Sequence, residues 1–474
     1  MLFNSLVFLV FFVLFFLVWT WAKKEDLRRW VCMLVFSFVF YAWWDWRFLF
    51  LILFSGLVDY GAALKMQSQP AQKRFWLIAS LLANIGSLAI FKYSKFIAQT
   101  IDALALEFGL EWELYSHLPA FSLIVPVGIS FYTFQSMSYT IDVYKGKLRP
   151  TQNIAHFFAY LSMFPQLVAG PIIRAKDMLQ QLAEDRRVSA VEVWLGLRLM
   201  VYGFFQKMVL ADNLAPIVNQ SFWDNNTQPS CMYWWMVMLA FSFQIYFDFA
   251  GYSSIARGLA KLMGYRFKSN FNHPYHAISL RDFWSRWHIS LSTWFRDYVY
   301  IPLGGTRGAK WKGYRNMWIT MLISGLWHGP ALNFILWGAV HAACLSVERL
   351  TKWPTYLHQF RAGRGLAFLL VLVQVVVAWV FFRATSFEQA IRIVGHLFST
   401  NLEGTHLIVE RYFDTLVFLG LAISVEGWYY LKRSHKRLRL ATKNIVYDSF
   451  SMALLITACV YFRGPASEFI YFQF

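Results

Sequence analysis

The stretch MLFNSLVFLVFFVLFFLVWTW, residues 1–21, carries no charged side chain. It matches the ~20 apolar residues needed to cross the hydrocarbon core of a bilayer as a helix. It lacks the basic n-region and small-residue cleavage site of a signal peptide, so it reads as a retained span. Comparable apolar runs recur along all 474 residues, which are 58% hydrophobic, 20% aromatic and only 15% charged, with mean hydropathy +0.42. In lipid every backbone polar group needs an internal partner, and helices meet that need within one segment. The reading is an all-α, polytopic transmembrane bundle of 11–12 spans, some re-entrant or interfacial. Expected spans are 2–21, 30–46, 47–64, 75–91, 119–141, 154–173, 192–212, 232–258, 316–350 as two elements, 365–383, 413–431 and 447–462. No repeat or linker divides them, so residues 1–474 are expected to form a single membrane-embedded domain.

The net charge is +18, from 44 basic and 26 acidic side chains. In a membrane protein such an excess first reflects Lys and Arg in cytoplasmic loops, with contact to anionic lipids as a further source. Nucleic acid is not an expected partner. The cysteines Cys32, Cys231, Cys344 and Cys459 are scattered without a CxxC, which suggests neither a metal site nor a disulfide framework. Lys23, Lys24, Arg28 and Arg29 place the loop after the first span in the cytoplasm and the N-terminus outside. Residues 96–118 contain no Lys or Arg and read as an external loop. Lys432, Arg433, Lys436, Arg437, Arg439 and Lys443 fall within twelve residues that hold no acid, a strong cytoplasmic signal. The last span then leads outward, and the tail 464–474 is expected to be extracytoplasmic.

Residues 264–315 differ from the rest. Arg266, Lys268, Arg281, Arg286, Arg296, Arg307, Lys310, Lys312 and Arg315 alternate with Trp284, Trp287, Trp294 and Trp311, and no long apolar run is present. This pattern suits amphipathic helices at the cytoplasmic interface. Its alternative readings are membrane anchoring and a basic vestibule for an anionic donor. Arg281, Arg286, Arg296 and Trp287 are the candidate donor-binding residues.

Met317-Trp-Ile-Thr-Met-Leu-Ile-Ser-Gly-Leu-Trp-His-Gly-Pro330 places His328 inside apolar sequence. An ionisable residue there is costly and is a functional candidate by default. Imidazole also suits proton transfer near neutral pH. The alternative is a histidine that only hydrogen-bonds a neighbouring helix. In Asp282-Phe-Trp-Ser-Arg-Trp-His-Ile-Ser-Leu-Ser-Thr-Trp-Phe-Arg296, helical spacing puts Trp284, Trp287, His288 and Leu291 on one face. His273 and His276 read as loop residues and His341 as a packing residue.

Asp142 and Asp248 fall inside apolar sequence and call for partners, with Arg257 and Lys145 as local candidates. Phe164-Pro-Gln-Leu-Val-Ala-Gly-Pro-Ile172 suggests irregular backbone lining an internal passage, or a simple kink. The ending Phe469-Ile-Tyr-Phe-Gln-Phe474 is aromatic, and Tyr471 bears its only hydroxyl. A phenol forms esters, but with a pKa of about 10 it needs a base. Walker A, HExxH and GxSxG motifs are absent, as is a dinucleotide fingerprint in strand–helix context.

Pro126-Val-Gly-Ile-Ser-Phe-Tyr-Thr-Phe-Gln-Ser136, the Phe164–Ile172 segment, Gln244-Ile-Tyr-Phe-Asp-Phe-Ala-Gly-Tyr-Ser253, the segment around His288 and Ser324-Gly-Leu-Trp-His-Gly329 together resemble the membrane-bound O-acyltransferases. The nearest branch holds the alginate and peptidoglycan O-acetylation membrane proteins and the teichoic-acid D-alanylation membrane protein. The resemblance runs from the second expected span to the C-terminus.

It implies a ring of tilted helices around a thinned centre with a cytoplasmic funnel. It places His328 at the family's catalytic histidine, His288 at the second family histidine and Tyr471 at an acyl-carrying tyrosine of the acetyl-transferring members. The function it implies uses acetyl-CoA as donor substrate and no permanently bound cofactor or metal. His328 would activate Tyr471 in a bacterial inner membrane. A periplasmic SGNH-type transferase would then O-acetylate a polysaccharide such as peptidoglycan or an alginate-like polymer. The rival readings are a lipid, sterol or protein acyltransferase with the same histidine, and a transporter of an acylated carrier.

Overall fold

Apolar runs of this composition fold as helices, and among the described residues every regular element is helical, with no strand. The computed structural model describes residues 1–168, 170–184, 187–223, 230–360, 362–434 and 445–470. Among the described residues, four helical stretches are long and apolar enough to cross a membrane: Asp26–Ser68, Pro70–Glu107, Ala190–Trp223 and Gly363–Arg383. Shorter apolar helices occupy Leu6–Ala22 and Val446–Tyr461. The chain is an all-α, polytopic membrane protein.

It divides into two compact units. Residues 1–197 with 256–268 form one, and residues 198–255 with 269–474 form the other. The first unit contains α1 (Leu6–Ala22), α2 (Asp26–Asp45), α3 (Leu49–Ser68), α4 (Lys73–Leu88), α5 (Ser94–Glu107), α6 (Ile129–Tyr144), α7 (Ile154–Leu161), α8 (Phe164–Leu167) and α9 (Ala175–Ala183). Helices α10 (Ala190–Phe204), α11 (Asp212–Trp223) and α12 (Cys231–Leu262) follow. The second unit continues with α13 (Leu280–Arg286), α14 (Ile289–Phe295), α15 (Lys310–His328), α16 (Leu332–Thr351), α17 (Trp353–Leu357), α18 (Gly363–Arg383), α19 (Phe387–Leu397), α20 (His406–Arg411), α21 (Phe413–Ser434) and α22 (Ile445–Tyr461).

Several expectations need correction. The stretch 96–118 is not all loop. A π-turn over Ala89–Tyr93 joins α4 to α5, so the helical stretch runs on to Glu107. Asp102 then accepts hydrogen bonds from the backbone N–H groups of Leu114 and Tyr115, both at 2.8 Å, and folds the following turn back. The span expected over 119–141 opens with a short 3-10 turn, Ala120–Leu123, and becomes α-helical only at Ile129, because Pro126 disfavours helical geometry before it and Gly128 is left-handed at φ +76°. The span expected over 154–173 breaks between α7 and α8, and irregular backbone follows in the Phe164–Ile172 segment. The span expected over 192–212 continues through a π-bulge, Phe205–Ala211, into α11.

The first unit also buries an acid that sequence reading passed over. Asp59 on α3 is fully buried and accepts hydrogen bonds from Ser80 and Ser136, while the Asn84 amide reaches both its oxygens at 2.9 and 3.0 Å. These donors tie α3 to α4 and α6. Asp142 is buried on α6 in the same unit.

In the second unit α15 and α16 form a hairpin, as expected for 316–350. Gly329-Pro330 ends α15, since proline has no N–H with which to continue the ladder. The hairpin closes backbone to backbone. A Cβ added at Gly325 would lie 2.1 Å from the Phe334 carbonyl oxygen, and one at Gly338 would lie 2.4 Å from that of Met321. Such small-residue contacts are how helices approach closely in lipid.

Candidate active site

His328 is the last residue of α15 and is 5% exposed. Aromatic rings meet it edge to face. Trp327 is at 4.9 Å, Trp337 of α16 at 5.0 Å and Phe382 of α18 at 5.3 Å between ring centroids. The hairpin brings Trp337 back onto the end of α15. Trp379, one turn before Phe382 on α18, contacts Trp337 at 6.1 Å. This wall of rings holds the imidazole in a low-dielectric pocket, where electrostatic interactions gain strength. The C-terminal carbonyl dipoles of α15 favour a positive charge at that position.

The expected continuous helical face through Trp284, Trp287, His288 and Leu291 is not formed. α13 ends at Arg286 and Trp287 is extended, while His288 is left-handed at φ +39° and precedes α14. A left-handed backbone is uncommon for a residue with a Cβ and marks a site worth functional scrutiny. Its cause is Asn270. The backbone N–H of Ile289 donates to the Asn270 carbonyl at 2.8 Å, and the Asn270 side-chain oxygen accepts from the Ser290 N–H at 3.2 Å and the Ser290 hydroxyl at 2.9 Å. Sequence reading missed Asn270, which lies eighteen residues before His288.

Asn270 also sets the histidine's tautomer. The Ser290 N–H can only donate, so the amide oxygen of Asn270 must face this cluster. His288 Nδ1, 3.2 Å from that oxygen, therefore carries a proton, and in the neutral ring Nε2 is the accepting nitrogen. Asn270→Ala should leave these donors without their acceptor and loosen the ring. Acyl transfer should fall roughly 10- to 100-fold, the kinetic equivalent of about 1–3 kcal/mol for an orphaned buried donor. Initial rates at equal amounts of membrane-inserted protein would check this.

His288 is fully buried and packs on Phe249 of α12 at 4.5 Å and on Trp327 at 6.2 Å between centroids. The two histidines thus flank one indole. His341 meets Trp337 at 4.9 Å and Trp284 at 5.0 Å, both edge to face. Glu348 of α16 caps the first turn of α13 by accepting from the N–H groups of Leu280 at 2.6 Å and Arg281 at 3.3 Å. His273 lies in a loop, as read from the sequence, and has a buried partner. Its Nδ1 lies 3.0 Å from Glu426, a buried acid on α21 that also accepts from the Tyr246 hydroxyl at 3.2 Å. An acid inside an apolar span was the available signal for Glu426 and for Asp59.

The candidate donor residues separate. Arg281 is exposed, whereas Arg286 pairs with Asp282 at 2.8 Å and Arg296 with Asp297 at 2.7 Å. Trp287 is 1% exposed and packs against Phe271, Phe283 and Trp379. It is a wall of the aromatic cluster.

The partners of Asp248 are not the local Arg257 that its sequence neighbourhood suggested. Its Oδ1 is 2.9 Å from the Lys207 ammonium, and its Oδ2 accepts from the backbone N–H of Ile470 at 2.7 Å. The partners come from a π-bulge and from the C-terminal tail, so local sequence carried no sign of them. Phe469 packs on Tyr252 at 5.1 Å and on Phe249 at 5.8 Å. The tail therefore runs to the ring that covers His288. Tyr471 lies outside the described residues, as does most of the basic loop that begins at Lys432.

Among the described residues no group of three His, Cys, Asp or Glu side chains is arranged to hold a metal ion. Residues 148–390 match the MBOAT, membrane-bound O-acyltransferase, family. A probable alginate O-acetylase of Pseudomonas putida is 39% identical over 442 residues, covering 89% of this chain and 87% of that protein. A peptidoglycan O-acetyltransferase of Helicobacter pylori is 36% identical over 434 residues, covering 85% of this chain and 80% of its own length. A teichoic acid D-alanyltransferase of Bacillus subtilis is more distant, at 27% over 335 residues, 68% of this chain and 78% of that protein. With matches of this length to two O-acetylating enzymes, the chain belongs to the membrane-bound O-acyltransferase family and is a membrane O-acetyltransferase.

Proposed function

We propose that the enzyme relays acetyl from cytoplasmic acetyl-CoA across a bacterial inner membrane through Tyr471. A periplasmic SGNH-type transferase then carries it to an extracytoplasmic polysaccharide, peptidoglycan or an alginate-like polymer. One observation carries this reading. Ile470, covalently bonded to Tyr471, is held at Asp248 beside the ring that covers His288. A phenol attached to that point would serve as a tethered nucleophile, and positioning of this kind supplies much of the acceleration in acyl transfer.

In the first half-reaction the Tyr471 oxygen attacks the thioester carbonyl and His328 accepts the phenolic proton. The carbon–sulfur bond breaks, and the CoA thiolate leaves and takes up the proton that His328 accepted, which returns the imidazole to its neutral form. The helix C-terminus at His328 favours the imidazolium formed in this step. His288, with its proton fixed on Nδ1, presents an accepting Nε2 and is the supporting candidate. In the second half-reaction a hydroxyl of the partner attacks the aryl ester and the phenol is regenerated. Aryl esters are reactive donors because phenoxide leaves readily. Exposed Arg281 suits the donor's phosphates, and membrane lipids surround the spans. The N- and C-termini are taken as extracytoplasmic on the charge pattern of the loops.

The test is purified protein incubated with acetyl-labelled CoA, followed by peptide mass spectrometry. One acetyl on Tyr471 is expected, and Tyr471→Phe should abolish both that adduct and, in cells that carry the partner transferase, polysaccharide acetylation. Full acetylation by Tyr471→Phe in those cells would remove the relay. Acetyl on a lipid would favour a lipid acyltransferase, and movement of donor across vesicles without a covalent adduct would favour a transporter.

A further inference from the structure

Lys207, Asp212 and Asp248 form a buried charge cluster that the acyl-transfer scheme does not use. The Lys207 ammonium lies 2.8 Å from Asp212 and 2.9 Å from Asp248, and the three side chains are 11%, 2% and 3% exposed. One cation between two carboxylates leaves the cluster short of donors, and buried charges are tolerated only where such needs are met. The C-terminal tail meets them. The Ser467 hydroxyl donates to Asp212, the Ile470 N–H donates to Asp248 at 2.7 Å, and Lys207 donates to the Ser467 carbonyl at 3.2 Å.

The backbone is built for this contact. Lys207 sits in the π-bulge Phe205–Ala211, a local departure from α-geometry often found at functional sites. α10 and α12 meet through facing glycines. A Cβ added at Gly203 would lie 2.6 Å from the Gly251 carbonyl oxygen, and one at Gly251 would lie 3.0 Å from the Lys207 backbone nitrogen. This approach lets Lys207 reach Asp248 across the helix pair. Beyond α22, the Gly464 N–H donates to the Met208 carbonyl at 2.8 Å and Asn213 donates to the Phe462 carbonyl at 2.8 Å, so the tail follows the bulge from its first residues.

We infer that Lys207, Asp212 and Asp248 are a clasp for the C-terminal tail and act as positioning residues for acyl transfer. The clasp holds Ser467 and Ile470 at fixed points, and this sets the register in which the next residue, Tyr471, is presented. The inference rests on the relay reading for its catalytic consequence, but docking of the tail is measurable without chemistry.

The experiment places a reporter thiol in the full-length protein as Ile470→Cys, a position that is 1% exposed. It follows maleimide labelling at that position by peptide mass spectrometry in detergent. Labelling should be slow in the otherwise unaltered chain and equally slow with His328→Ala. Lys207→Met and Asp248→Asn should speed it roughly 10- to 100-fold, the equilibrium equivalent of losing one charge-assisted hydrogen bond. Lys207→Arg should retain part of the protection. Ser467→Ala alters only the tail and tests the same contact with the bundle intact, so misfolding of the helix variants does not leave the question open.

Without the reporter, each variant that releases the tail should lose acetyl transfer in the same order as it gains labelling, through kcat rather than the KM for acetyl-CoA. Unchanged protection at position 470 in both Lys207→Met and Ser467→Ala would overturn the clasp, and a released tail with full acetyl transfer would overturn its positioning role. Failure of the relay is read separately, from Tyr471→Phe.

Discussion

Replacing His328 with alanine or glutamine should reduce acetyl transfer by about 10²- to 10⁴-fold, the usual contribution of a positioned general base. The pair of substitutions separates chemistry from packing. Alanine opens a void among Trp327, Trp337 and Phe382, whereas glutamine refills much of the space and keeps hydrogen-bonding atoms. Thermal unfolding should therefore occur at a lower temperature for His328→Ala than for His328→Gln, while both lose activity alike. A purely structural histidine would show the opposite pattern, with His328→Gln active and stable. Rates of acetyl-CoA consumption measured beside the unfolding curves decide between them.

Gly325→Leu should have the largest effect on stability. The added Cβ would fall 2.1 Å from the Phe334 carbonyl oxygen and 3.0 Å from its carbon, and both are backbone atoms of the facing helix. No rotamer change relieves such a contact, so α15 and α16 must separate. Overpacking costs about 1–3 kcal/mol where side chains can adjust and more where they cannot. We expect a lowered unfolding temperature and an aggregated fraction in size-exclusion chromatography. Activity should fall with them, because the hairpin carries His328 on one arm and Trp337 on the other. Gly427→Ala is the control, since its added Cβ meets nothing within 4 Å. It should leave folding and activity near those of the parent chain.

The contrast between these positions shows what local sequence can encode. Apolar run length determined that the chain is helical and membrane-spanning, because backbone groups in lipid must be paired within the segment. Gly329-Pro330 marked the end of α15 for an equally local reason, the missing proline N–H. An imidazole in apolar surroundings singled out His328, because placing an ionisable group there is costly wherever the rest of the chain lies. These arguments need only neighbours in sequence.

The tertiary structure decided everything that depends on distant partners. Regular helical spacing predicted one face through Trp287 and His288, but Asn270 holds the backbone of Ile289 and Ser290 and turns His288 left-handed. Proximity in sequence suggested Arg257 for Asp248, but a π-bulge and a close glycine crossing deliver Lys207, and the returning tail delivers Ile470. Hydrophobic periodicity reports which side of a helix is buried. It does not report what that side meets, because the chain's long-range contacts are selected by packing and by the need to satisfy buried charge.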